Sequence, residues 1–124
     1  MLSINYKDPR PIYEQVRDAL RQLILSGAIA PGEKLPSVRE LAASLAINPN
    51  TIQRSYRELE KLGLVNTVAG KGAFAATDGT AALRWREELM ATLSSTLREL
   101  KLLGVSESEL QSMVLAVFRK EDET

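Results

Sequence analysis

The chain of 124 residues contains neither cysteine nor histidine. Without cysteine it has no disulfide framework, no thiolate metal site and no thiol nucleophile. Without histidine the commonest general base and the commonest metal ligand are lost together, which argues against hydrolytic and zinc chemistry. No apolar run approaches the roughly 18 residues that suggest a membrane span. The opening MLSINYKDPR lacks the apolar core of a secretory signal, so a cytoplasmic protein with no membrane partner is expected. Net charge is absent too, with 16 Lys/Arg against 16 Asp/Glu. The closest carboxylate pairs, Glu87-Glu88 and Glu107-x-Glu109, fall on solvent faces of helices or at a cap. Gly70-Lys71-Gly72 lacks the spacing of a phosphate-binding loop and precedes a strand rather than a helix. No catalytic residues, metal or cofactor are expected, and an enzyme is the least favoured class.

The charge that is present is unevenly placed. Residues 1–76 hold ten Lys/Arg against seven Asp/Glu, and residues 77–124 hold six against nine, so the halves stand near +3 and −3. A basic recognition half followed by an acidic tail fits this split.

Periodicity supplies the elements. In PIYEQVRDALRQLILS the apolar side chains of Ile12, Val16, Ala19, Leu20, Leu23 and Ile24 follow helical spacing, with Pro11 suited to the first turn and Gly27 to the end. The segment Ala28 to Pro36, with Pro31-Gly32 inside it, reads as a turn-containing connection. Ser37 and Glu40 have capping-box spacing and open a short second helix to about Ala46. Asn48-Pro49 then starts a third helix almost at once, which buries Ile52, Tyr56, Leu59 and Leu62 and ends at Gly63. Two helices so closely joined form a helix-turn-helix. Residues 64–76 are the convincing strand region, two short apolar stretches around Ala69-Gly70-Lys71-Gly72.

Beyond Asp78-Gly79, a long helix runs from about Ala81 to Leu103. Leu83, Met90 and Leu97 recur every seven residues, with Leu93 and Leu100 between them. Ser106 caps a further helix whose apolar face includes Leu110, Met113, Val114, Val117 and Phe118. Two amphipathic helices cannot cover both faces alone, so this tail wants a partner. The expected fold is mostly α with a small β-hairpin: a winged helix-turn-helix over residues 1–76, then a C-terminal helical hairpin for dimerisation over residues 77–124. Its dimer contacts would be Leu83, Met90, Leu93, Leu97, Leu100, Leu110, Val114, Val117 and Phe118.

Asn50, Gln53, Arg54 and Arg57 form a polar, positive row on the outer face of the third helix. On an isolated helix such a row is most simply a solvated face. On the second helix of a helix-turn-helix, amides and guanidinium groups near its start can reach base edges in a major groove. Ser37 and Arg39 lie in the first turn of the preceding helix, and Lys71 tips the hairpin where it can meet a phosphate.

Three blocks, G-E-K-L-P-S-V-R-E-L-A from Gly32, I-N-P-N-T-I-Q-R-S-Y-R-E-L-E-K-L-G-L-V from Ile47 and G-K-G-A-F from Gly70, resemble the winged-helix domain of the GntR family of transcriptional regulators. The resemblance implies that Arg39 contacts backbone or a guanine and that Asn48, Asn50, Thr51 and Gln53 approach bases and phosphates. It also implies that Gly70 and Lys71 enter the minor groove. Many relatives carry arginine where this chain has Pro49 and Gln53; this variant is similar to the short YtrA-type branch, whose tail is a dimerisation element. The implied partners are double-stranded operator DNA and a second copy of the chain. A small effector, which no residue identifies, could sit between wing domain and tail. The implied function is a homodimeric repressor on a palindromic operator; the alternative is a winged helix that docks an acidic protein without specific DNA binding.

Overall fold

A computed structural model describes residues 2–122. In chain order it contains α1 (Ile12–Leu25), α2 (Val38–Leu45), α3 (Pro49–Lys61), β1 (Val65–Val68), β2 (Gly72–Ala75), α4 (Thr80–Leu102) and α5 (Glu107–Asp122). Local chemistry accounts for the ends. Ser37 Oγ accepts the Glu40 N–H at 3.1 Å and Asn48 Oδ1 accepts the Asn50 N–H at 2.8 Å, each satisfying a free donor of a first turn. Between α2 and α3 the chain reverses through Ala46, whose φ of 55° is left-handed without being glycine. The reversal lets the Ile47 N–H reach Ala42 O at 3.0 Å and close α2.

Three helices share one core. Val16 and Leu20 of α1 meet Leu41 and Ala42 of α2 and Ile52, Tyr56 and Leu59 of α3, with Leu35, Leu64, Val65 and Ala75 closing the cluster. Ile52, Leu59 and Val16 are wholly inaccessible, and burying such side chains contributes roughly 1.5–3 kcal/mol each. Polar contacts then fix α3 on α1. Ser55 Oγ donates to Tyr13 O at 2.8 Å, and Arg17 pairs with Glu58 at 3.1 Å. At the start of α1, Gln15 is buried and exchanges hydrogen bonds with the Asn5 backbone at 3.0 and 3.1 Å, which holds the leading segment against the helix.

The wing is an antiparallel pair with Val65 opposite Ala75 and Val68 opposite Gly72. Its tip closes through Lys71 N–H to Val68 O at 3.0 Å, and Gly70 at φ 76° takes the left-handed position that this turn needs. The Ala28–Pro36 connection does more than turn. Leu35 N–H donates to Ala73 O and Ala75 N–H to Glu33 O, both at 2.8 Å, and Lys34 bridges antiparallel to Phe74. This stretch covers the edge of β2 that β1 leaves free, which an exposed two-stranded ribbon would otherwise present to solvent.

The chain divides into two compact units after Arg84, inside α4, rather than after residue 76. The reason lies in the first unit. Ala81 is buried, and the Arg84 guanidinium donates to Leu62 O at 3.0 Å, so the first turn of α4 belongs to the winged domain.

The second unit is two helices joined at Leu103–Ser106. Gly104 and Val105 N–H groups satisfy Lys101 and Leu100 carbonyls, and Ser106 Oγ accepts the Glu109 N–H at 3.1 Å. Leu100, Val105 and Leu110, next to this turn, are half-buried. Away from the turn α4 and α5 make little contact with each other, and none of residues 85–120 is fully buried. Leu93 is 50% exposed, Val114 55% and Phe118 65%.

Candidate nucleic-acid interface

The start of α2, the face of α3 and the wing border one groove of about 400 Å³. Ser37 and Val38 stand at one wall, Gln53 and Tyr56 at the second, and Val68–Gly72 of the wing at the third. The groove is held in shape by two hydrogen bonds. Tyr56 Oη donates to Pro36 O at 2.6 Å, locking the residue before the α2 cap to the middle of α3. Thr67 Oγ1 donates to Glu60 Oε2 at 2.9 Å, tying β1 to the end of α3. Burial, reinforced by the Glu40 carboxylate, pushes the Tyr56 phenol up to about 12, so this strut stays protonated at any ordinary pH.

The cations sort into two sets. Around α1, Asp18 gathers Arg10, Arg17 and Arg21 at 2.9–3.1 Å while Asp8 and Glu58 pair with Arg10 and Arg17, so three arginines there meet three carboxylates. Arg39, Arg57 and Lys71 take part in no ion pair among the described residues and are all exposed. Cations without a carboxylate partner thus stand on α2, α3 and the wing.

Of the ten expected contact residues, Ser37, Gln53, Gly70 and Lys71 line the groove together. Arg39, Asn50 and Arg57 are exposed outside its walls. Asn48 is exposed, but its carbonyl oxygen is occupied by capping α3, leaving its amide N–H groups as outward donors. Thr51 is half-buried, and its main-chain carbonyl accepts from Ser55. Arg54 does not join Gln53: its guanidinium lies 3.7 Å from the centroid of the Tyr13 ring, a cation–π contact that holds it toward α1. Lys34 is a groove residue that sequence reasoning passed over. A Cβ on Gly72 would come within 2.9 Å of Lys34 Cε, so this lysine lies directly on the wing. Its only sequence signal is a basic residue within a block shared with regulators, in a stretch too short to show strand alternation. Among the described residues, no group of three or more His, Cys, Asp or Glu could hold a metal ion, and no helix is long and apolar enough to cross a membrane.

Three helices, a tight reversal between the second and third, and a wing beside the third define a winged helix-turn-helix of the kind used by transcriptional regulators. Residues 12–75 match the family model of bacterial regulatory proteins of the gntR family. The chain is 45% identical over 74 residues to the transcriptional repressor YtrA of Bacillus subtilis, a match covering 60% of this chain and 57% of YtrA. It is 37% identical over 106 residues to the regulator YhcF of the same organism, covering 85% of this chain and 88% of YhcF. Among solved structures, a GntR family regulator from Listeria monocytogenes superposes with a TM-score of 0.74 at 34% identity, covering 88% of this chain and 96% of that one. The DNA-binding domain of AraR in complex with operator ORX1 superposes with a TM-score of 0.56 at 30% identity over 60% of this chain and 96% of that one. The chain belongs to the GntR family of bacterial regulatory proteins, and within it to the YtrA type.

Proposed function

We propose that this chain is a cytoplasmic repressor that binds a palindromic operator as a homodimer. In this reading α3 enters the major groove. Asn50 and Gln53 present amides suited to adenine, while Ser37, Arg39, Asn48, Thr51 and Arg57 reach phosphates or base edges, and Arg54 would have to leave Tyr13 to join them. Gly70 and Lys71 bring the wing to the neighbouring minor groove and its phosphates. The observation that carries the reading is the single groove joining Ser37, Gln53 and Lys71, bordered by cations that no carboxylate neutralises. AraR, a structural relative, is captured on its operator, and YtrA is named a repressor.

Dimerisation is assigned to the tail. Leu83, Met90, Leu93, Leu97 and Leu100 on α4, with Leu110, Val114, Val117 and Phe118 on α5, form apolar faces of which only Leu100 and Leu110, beside the turn, are half-buried in the single chain. Such surface on a water-soluble chain marks an interface. A two-fold dimer then presents two recognition helices to half-sites about one helical turn apart.

The test is selection from a random duplex pool by the purified chain. Enrichment of an inverted repeat with half-sites spaced by about 10 base pairs or a multiple is expected. A pool that stays unenriched while the chain captures acidic proteins would instead establish the docking module.

A further inference from the structure

A second concavity lies within the winged domain, separated from the groove by the stretch Lys34–Pro36, which lines both. It encloses about 580 Å³ between the end of α1, the 29–36 connection and α2. Leu20, Leu23, Leu35, Leu41 and Leu45 supply its apolar walls. This volume and lining fall in the range of small-molecule sites. Two carboxylates stand at its border. Glu33 accepts the Ala30 N–H at 3.0 Å through Oε1, and Glu40 forms no ion pair among the described residues. Lys34 also borders the cavity, yet the end of its side chain lies against Gly72 on the wing, so its positive charge is drawn to the other side of the connection. What remains is a greasy cleft with a negative rim.

We propose that this cleft is an effector site for a small amphipathic cation, an aromatic or branched apolar body carrying one ammonium or guanidinium group. The apolar body fills the leucine-lined space, and the cation stands against Glu40 and Glu33. The walls of the cleft explain how occupancy reaches the DNA-binding face. The 29–36 connection is hydrogen-bonded to β2 through Glu33 and Leu35 and leads directly into Ser37, while α2 carries Arg39. A ligand wedged between α1 and α2 bears on the wing and the α2 cap together. Regulation of DNA binding rests on the operator reading above; ligand binding itself does not.

The experiment uses the full chain with three probes of one shape and different charge: 4-phenylbutylamine, 4-phenylbutanol and 4-phenylbutyrate. Binding is followed without DNA by methyl NMR. The amine is expected to shift the resonances of Leu23, Leu41 and Leu45 saturably and to bind at least about fivefold more tightly than the other two probes. The double variant Glu33→Gln/Glu40→Gln should lose that preference while still taking the neutral alcohol, which shows that its cleft is intact. Ser44→Trp, an exposed position on the border, should close the cleft and abolish binding by all three probes, with an unchanged melting temperature reporting that it folds. The site is overturned if no saturable shift occurs, if butyrate binds as well as the amine, or if folded Ser44→Trp binds normally. With an operator in hand, saturating amine should change affinity severalfold. Binding without such a change would overturn the effector role, whereas failure of the free chain to bind any DNA would refute the operator reading and leave the NMR result standing.

Discussion

Replacing Leu93 and Leu97 together by aspartate should separate assembly from folding. In the single chain these side chains are 50% and 38% exposed, and they lie outside the core of the winged domain. Full burial of a leucine is worth roughly 1.5–3 kcal/mol, and scaling by the exposed fractions gives about 1.3–2.6 kcal/mol per protomer. A two-fold interface counts this twice, so removing it weakens the dimer by about 3–5 kcal/mol, before any penalty for the buried carboxylates. Because 1.4 kcal/mol is a factor of ten, the dissociation constant should rise on the order of a hundred- to several-thousandfold. Light scattering should then show a monomer at micromolar concentration, with circular dichroism and melting of the winged domain little changed. Operator affinity should fall with it, because the tether that raises effective concentration at the second half-site is gone. A variant that remains dimeric places the interface elsewhere, and a monomer with undiminished affinity removes the need for dimerisation.

Four further outcomes are expected. Gln53→Ala and Arg39→Ala should each weaken operator binding by roughly 1–3 kcal/mol, with Gln53→Ala relaxing preference at one base pair; gel shifts on native-folded variants decide this, and unchanged affinity for both dismisses α3 as reader. Lys71→Ala should weaken all sequences alike and lower the slope of log K against log salt by about 1, which a salt titration measures. Gly63→Ala combines φ 78° with a Cβ placed 2.5 Å from an Arg84 Nη; it should cost roughly 1–2 kcal/mol in urea melts, and a neutral result would mean that the α3–α4 joint is loose. Tyr56 keeps its proton up to about 12 when folded, against about 10 when unfolded. Its contribution is therefore complete below pH ~10 and falls by roughly 2–3 kcal/mol as the pH passes through the folded value. Tyr56→Phe should lose about 0.5–1.5 kcal/mol at neutral pH and show a shallower alkaline decline in denaturant melts.

Two features of the groove show where sequence reading stops. Gln53 could be picked out because helical spacing places it with Asn50, Arg54 and Arg57 on the polar face of α3, and it is exposed in the structure. Arg54 looked equivalent, yet it packs on Tyr13, 41 residues earlier in the chain, a contact that no local pattern announces. Lys34 was hidden for the same reason, since its position depends on pairing with Phe74 across the wing.

By itself the sequence determined the helices, their caps, the tight α2–α3 reversal, the hairpin and the family blocks. These depend on chemistry within about four residues along the chain, where amphipathic period and capping side chains act. Tertiary structure alone decided the extra strand pairing of Glu33 and Leu35, the gathering of three arginines around Asp18, and the clamp of Arg84 on Leu62 that joins the first turn of α4 to the winged domain. It also decided that α4 and α5 leave their apolar faces uncovered. An apolar stripe states that a face must be buried, but only the packing of the chain states whether it can bury that face against itself.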